Sequence, residues 1–405
     1  MINRLDIEDR VREWGLREDV VEKDYVLGWL LWGIGTDPLL SKTWAFKGGT
    51  CLKKCYLETY RFSEDLDFTV LPDGPVLKES LAPLFADILG RIAQESGIQF
   101  SGQEPLFKTN ATGTYTEGRI YYRGPRLAPK VATIKLDLSA SEKMAAPPVA
   151  RIITHPYPDA LPAPATVLCY SFEEVFAEKI RAMGERSRPR DLYDIINLYR
   201  RQDLRNRAAL IRKILLAKCA SKNVPVPTMA TLEASPFRRE LESEWANMLA
   251  HQLPQLPPLE AFWGELPALF SWIEGVPETI APLRPVQIPE AITASWSPPA
   301  TVSTWGFRVP LESIRFAAAN HLCIELGYKG TVRLVEPYAF RQSRAGDLLF
   351  CAVKVENGKT RNYRLDRIQS VKVSHRTFSP RFLVEVGTIN NYGAPPLNRK
   401  NSSKW

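Results

Sequence analysis

The chain is poor in the residues that run much of hydrolytic and metal chemistry. Among its 405 residues there are only 4 histidines, scattered at His155, His251, His321 and His375, which gives zinc or histidine-dependent catalysis little support. The 6 cysteines (Cys51, Cys55, Cys169, Cys219, Cys323 and Cys351) follow no zinc-ligand spacing, and a disulfide framework is not expected at this size and composition. No apolar run reaches the roughly 18 residues of a membrane span. Residues 1–12 alternate charged and apolar side chains where a secretory signal would carry an apolar core. The expectation is a cytoplasmic protein without a membrane partner. No internal repeat is apparent.

What is present is an ordinary globular composition, 45% hydrophobic and 24% charged, long enough for two or three domains with their own cores. The net charge of +8 is unevenly spread. Residues 301–405 hold 17 Lys+Arg against 7 Asp+Glu, leaving 36 against 38 for residues 1–300, so the whole basic excess lies in the last quarter. A basic module beside a nearly neutral body points to an anionic partner, RNA or DNA first, or an acidic protein. The bland alternative is a basic surface that serves solubility.

Residues 281–304 carry Pro282, Pro285, Pro289, Pro298 and Pro299, which fix φ and remove N–H donors, so a semi-rigid linker is predicted there. Before it, apolar spacing predicts helices at 18–34, 51–60, 77–96, 170–186 and 191–201, strands at about 61–70 and 131–139, and an almost wholly helical stretch at 203–275. Ser171 and Glu174 have the spacing of a capping box. After the linker, short segments rich in Val, Leu, Ile and Tyr at 322–328, 332–337, 348–355, 360–365 and 371–374 predict a small β-barrel or sandwich, with a helix near 311–320 and a tight hairpin at Asn357-Gly358.

The stretch Phe46-Lys47-Gly48-Gly49-Thr50, followed by Arg61-Phe62-Ser63-Glu64-Asp65-Leu66-Asp67-Phe68, joins a glycine turn to a close carboxylate pair. Glycines let a backbone approach phosphate closely, a following helix offers unpaired N–H groups, and Thr50 adds a hydroxyl. If Leu66 and Phe68 fill alternate strand positions, Asp65 and Asp67 share one face and suit Mg²⁺ bridging nucleotide phosphates. Asp137 in an apolar strand is the candidate third ligand, with pairing to Lys135 as the alternative. Lys179 is a candidate phosphate contact, with a solvated helix face as the alternative for Lys179 and Arg181. Asp191 and Asp194, in Arg190-Asp191-Leu192-Tyr193-Asp194, would orient Lys179 or the incoming base, Asp194 being otherwise a helix-surface charge. Phosphate cradle, carboxylates and cations together are the requirements of nucleotidyl transfer.

These motifs, with Cys51-Leu52, the Ala177-Glu178-Lys179-Ile180-Arg181-Ala182 segment and Glu22-Lys23-Asp24-Tyr25, resemble the AbiEii/AbiGii nucleotidyltransferase toxins, relatives of the MenT toxins, over roughly residues 10–275. The resemblance implies an α/β (α+β) DNA polymerase β-like nucleotidyltransferase core with a helical subdomain. It implies Asp65, Asp67 and Asp137 on Mg²⁺ and Gly49, Thr50 and Lys179 on the nucleotide; Gly48 shares the cradle, and Asp191 matches the acidic residue of the last motif. It further implies transfer from an NTP to an acceptor, tRNA 3′ ends for MenT-like members, with growth arrest, abortive infection and a cognate antitoxin in some members.

The last quarter resembles a WYL domain through Tyr328, Val335-Glu336-Pro337-Tyr338, Asn357-Gly358, Tyr363-Arg364-Leu365-Asp366-Arg367-Ile368 and Phe378-Ser379-Pro380-Arg381-Phe382, although Asp347-Leu348-Leu349-Phe350 stands where the name-giving tripeptide is expected. That resemblance implies an Sm-like or SH3-like β core that senses nucleic acid or nucleotides, with Arg333, Arg341, Arg364 and Arg367 as its anion-binding candidates. The expected division is 1–200 nucleotidyltransferase core, 201–280 helical subdomain, 281–304 linker, 305–390 WYL-like β domain and 391–405 tail. Two other readings fit the same residues: an NTP-binding regulator without transfer, and a nucleotidyltransferase acting on protein.

Overall fold

The computed structural model describes residues 2–57, 60–100, 102–276, 283–286, 292–295, 311–343 and 345–386. Its first sheet has seven strands: β1 (Trp44–Lys47), β2 (Asp65–Val70), β3 (Leu106–Thr109), β4 (Tyr115–Tyr122), β5 (Ala132–Ser139), β6 (Val149–Ile152) and β7 (Thr166–Cys169). Their order is β3-β4-β5-β2-β1-β7-β6, with β2 at the centre. The sheet is mixed: β2 runs parallel to β5 and β1 parallel to β7, the other neighbours being antiparallel. Alternation along residues 65–68 of β2 and 134–139 of β5 puts Leu66, Phe68, Leu136 and Leu138 into the core and leaves Asp65, Asp67, Lys135 and Asp137 on the opposite face.

The helix Glu18–Gly35 is apolar almost all round, so it is buried on all sides and packs against β7 and the helix Lys78–Ser96. Its buried Asp24 would be costly alone; Lys54 neutralises it at 2.7 Å and Tyr157 donates to it at 2.9 Å. The predicted 51–60 helix is instead a short helix Gly48–Cys51 continued as a π-turn, Leu52–Tyr56. Only half of the capping box forms. Ser171 accepts from Glu174 N–H, but the Glu174 carboxylate accepts from the amides of Ala145 and Ala146 and pairs with Lys218, because tertiary partners outcompete the local one.

Helices Ala208–Lys222, Met229–Glu233, Arg238–Leu249, Leu259–Trp263 and Leu266–Glu274 fill the predicted helical stretch. A buried ion network ties the helix Pro189–Tyr199 to the segment entering β2. The Arg61 guanidinium grips Asp194 through Nε (2.6 Å) and Nη2 (2.8 Å), Tyr60 donates to the same carboxylate at 2.6 Å, and Gln252 accepts from Arg61 at 3.0 Å. Asp194 has no exposed surface, so the alternative of a helix-surface charge is overturned; the helix is buried almost all round, packed against the helices Phe172–Arg186 and Arg238–Leu249.

A second sheet, antiparallel throughout, comprises β8 (Ile292–Ser295), β9 (Leu322–Tyr328), β10 (Thr331–Ser343), β11 (Leu348–Lys354), β12 (Thr360–Arg364) and β13 (Ile368–Thr377), in the order β12-β11-β10-β9-β13 with β8 beside β10. Among the described residues no ladder joins β12 to β13, so closure into the expected barrel is not part of this pairing. β10 and β13 outrun their predicted lengths; a bulge between Pro337 and Ala339 lets β10 continue past its proline. Most of the predicted linker and all of the 391–405 tail lie outside the described residues. Within the linker stretch, Ile292-Thr293-Ala294-Ser295 pairs with β10, being the proline-free part of the segment. Arg200, the C-cap of the Pro189–Tyr199 helix, donates to the Ala319 carbonyl at the end of the helix Leu311–Ala319 (3.2 Å), and the second sheet meets the helical stretch through a Gln255–His375 contact at β13 (2.8 Å).

Removing the Asp194 carboxylate leaves Arg61 buried and uncompensated. Asp194→Ala should destabilise the protein by about 3–5 kcal/mol in urea unfolding, whereas a change below about 1 kcal/mol would show the network to be ornamental.

Candidate active site

The polar face of β2 opens into a cavity of about 620 Å³, walled by the Gly48 turn, β5 and the helix Phe172–Arg186, within the range of small-molecule sites. Strand register assembles a row across it: Lys47 lies opposite Asp67, Asp67 opposite Asp137 and Asp137 opposite Glu117, while Asp65 lies opposite Lys135.

Among the described residues, the Asp65 and Asp67 carboxylates have no hydrogen-bond donor and no cation within ion-pairing distance. Burial raises both above the ordinary carboxylate range. For Asp67 the opposing attraction of Lys47 is outweighed by burial and by repulsion from Asp137 and Asp65, and its carboxyl is pushed up to about 6. Two half-buried carboxylates aimed into a polar cavity, repelling each other and unneutralised by the chain, suit a hard divalent cation with oxygen ligands. Asp137 is different: Lys135 pairs with it at 2.8 Å and the Tyr115 hydroxyl donates to it. It does not complete a group of three carboxylates with oxygens mutually within 4.8 Å among the described residues.

Gly48 sits at φ +80°, and a Cβ there would come within 2.5 Å of Asp67 Oδ2. Gly49 gives its side-chain space to Arg61, whose Nη2 would lie 2.4 Å from a Cβ. Both line the cavity, as does Lys179. Thr50 does not: it is 1% exposed, and its hydroxyl donates to the Asp65 carbonyl at 2.6 Å, fixing the start of β2. Asp191 is also fully buried behind the cavity wall. It accepts from Lys179 Nζ (3.2 Å) and from Arg186 through Nε (2.8 Å) and Nη2 (3.2 Å), while Lys179 also pairs with Asp194 at 2.8 Å. Burial opposes the Lys179 charge, but Asp194 and Asp191 outweigh it and raise its pKa, so the ammonium stays charged at the cavity edge.

The structure adds residues that the motif reading passed over. Lys47 lines the cavity, pairs with Glu142 and lies 3.6 Å from Glu178. Burial alone would raise Glu178, yet Lys47 and Lys218 hold it down to about 2. Arg186, Arg188 and Arg190 form a cationic rim. The signal for them was the Arg-x-Arg-x-Arg spacing that leads into the last motif; for Lys47 it was its place directly before the glycine turn.

The four C-terminal arginines are placed unevenly. Arg341 is buried against Glu385, Arg364 is held by Asp347 (2.7 Å) and Asp366 (2.8 Å), Arg333 donates to the Tyr328 carbonyl at 2.6 Å, and Arg367 is exposed.

Residues 29–272 match the family model for the nucleotidyl transferase AbiEii toxin of type IV toxin–antitoxin systems. The chain belongs to the AbiEii family. Its carboxylates, glycine turn and Lys179 all fall within the matched residues. The AbiEii chain is also similar to MenT4, a nucleotidyltransferase toxin from Mycobacterium tuberculosis H37Rv, at 21% identity over 68% of this chain and 91% of that one, with a TM-score of 0.47. No curated protein sequence matches it. Among the described residues no helix is long and apolar enough to cross a membrane.

Two outcomes follow from this geometry. Gly48→Ala should displace the Asp67 carboxylate and lower nucleotide transfer by about 100-fold with little loss of fold, as read by steady-state kinetics beside circular dichroism. Because the folded-state pKa of Asp67 is raised, its charge lowers stability progressively as pH rises from the ordinary carboxylate range through about 6. Asp67→Asn should therefore melt higher than the wild type at about pH 8 without divalent metal, the difference vanishing near pH 4; a lower melting temperature at pH 8 would contradict this sign.

Proposed function

We propose that this AbiEii-family protein transfers a nucleoside monophosphate from an NTP to an acceptor hydroxyl, an RNA 3′ end and specifically that of tRNA, in a Mg²⁺-dependent reaction on a DNA polymerase β-like core. The observation that carries this reading is the unpartnered Asp65–Asp67 pair facing a cavity with a cationic rim and a glycine floor. Asp65 and Asp67, joined by Asp137, would hold the metal, which when bound activates the hydroxyl and neutralises charge developing on the phosphates. Gly48 and Gly49 leave room for the triphosphate backbone to lie close to the main chain. Lys179, kept charged and oriented by Asp191 and Asp194, faces the phosphates, and Arg186 and Arg190 extend that positive wall. The acceptor oxygen bonds to the α-phosphorus, the bond to pyrophosphate breaks, and the hydroxyl proton leaves to solvent. Thr50 acts one step back, by holding the Asp65 carbonyl.

The division into a core at 1–200, a helical subdomain at 201–280 and a WYL-like module at 305–390 belongs to the same reading. The +10 balance of residues 301–405 supports a nucleic-acid role for the last module, with the exposed Arg367 and the half-buried Arg333 its candidate anion contacts and Arg341 and Arg364 bracing its strands. A cytoplasmic setting and a cognate antitoxin, in toxin–antitoxin or phage-defence systems, complete the proposal.

Purified protein incubated with each labelled NTP, Mg²⁺, total RNA and total protein should label the tRNA fraction, and Asp67→Ala should abolish labelling while remaining folded. Label in protein would transfer the acceptor role there, and label nowhere would leave an NTP-binding regulator.

A further inference from the structure

Three of the six cysteines, dismissed by their spacing, converge in the fold. Cys51 and Cys55 lie one helical turn apart at the junction of the Gly48–Cys51 helix and the π-turn, and Cys169 ends β7, which pairs with β1 at Phe46. The sulfurs of Cys51, Cys55 and Cys169 all lie within 4.8 Å of one another, and the residues are at most 2% exposed. We propose that Cys51, Cys55 and Cys169 bind a thiophilic divalent cation of the zinc class, which staples the glycine turn of the active site to β7.

The dimensions suit that ion. With metal–sulfur bonds of about 2.3 Å, tetrahedral ligands stand about 3.8 Å apart, so each sulfur closes on the metal by a shift below about 1 Å. A fourth donor is at hand: the Tyr56 hydroxyl oxygen lies 3.7 Å from Cys169 Sγ and gives its proton to the Tyr170 carbonyl at 2.5 Å, leaving oxygen lone pairs. Charge also balances. A divalent ion with three thiolates carries one net negative charge, and the buried Arg151, 4.8 Å from the Tyr56 ring and donating to the Cys55 carbonyl at 3.3 Å, supplies the compensating cation. Metal uptake during folding accounts for a site without surface exposure. Buried cysteines often act only as small apolar residues, which makes the metal titration decisive.

Full-length protein unfolded in denaturant with chelator under reducing conditions, freed of metal and then refolded in a titration with Co²⁺ should bind one equivalent with an intense sulfur-to-cobalt charge-transfer band. The carboxylate site cannot imitate that band, because oxygen ligands do not produce it. Cys55→Ser and Cys169→Ser should each weaken this binding at least about tenfold. Cys219→Ser, outside the cluster, should leave it unchanged. Absence of the band in the wild-type protein, or its persistence at full strength in both cluster variants, would overturn the site. The wild-type titration decides even if a variant fails to fold, and neither result depends on nucleotide transfer.

Discussion

Everything around the cavity depends on a chain of alternating charges that runs from the interior to the cavity's rim: Arg61, Asp194, Lys179, Asp191 and the exposed Arg186, each bonded to the next at 2.6–3.2 Å. Arg61, Asp194 and Asp191 are almost fully buried, which is tolerable only because every charge meets its opposite with hydrogen-bonding geometry. Burial pushes Asp194 and Asp191 upward, yet their cations outweigh it and hold both below the ordinary range. The network joins three parts of the sequence: the segment entering β2, the Phe172–Arg186 helix and the Pro189–Tyr199 helix. It also seats Arg61 against Gly49, so the glycine turn is set by the same contacts that set the helices.

Against this neutralised frame, Asp65 and Asp67 face the cavity with no cation at ion-pairing distance among the described residues. A fold that pairs Asp24, Glu174, Asp191 and Asp194 so completely has the means to pair two more. Leaving them repelling each other raises the energy of the protein alone, and that energy is recovered when a cation binds. The AbiEii family assignment gives this arrangement its chemical context, since nucleotidyl transfer needs negative ligands for metal beside positive groups for phosphate.

Much of this was legible in the sequence where the relevant rule is local. Period-two alternation placed Asp65 and Asp67 on one face, the cost of an acidic residue in an apolar strand singled out Asp137, and glycine chemistry marked the turn. Long-range pairing was not legible. Thr50 looks like a phosphate ligand until β2 brings the Asp65 carbonyl to its hydroxyl. Asp194 reads as a surface charge until Arg61, 133 residues earlier, is folded beneath it. Cys169 lies 114 residues from Cys55, so no spacing rule could join them before the parallel pairing of β1 with β7 was known. The prolines of residues 281–304 hid the short strand that does form there, because composition averages over a quartet of suitable residues.

The central claim is that Asp65 and Asp67 are kept bare for a metal that carries nucleotide. The most direct measurement is the anomalous diffraction of Mn²⁺ in crystals grown with a non-hydrolysable NTP. The account predicts a manganese peak within about 2.3 Å of oxygens from both carboxylates, with the triphosphate running toward Gly48 and Lys179. A nucleotide bound in the cavity with its metal away from both carboxylates would contradict it.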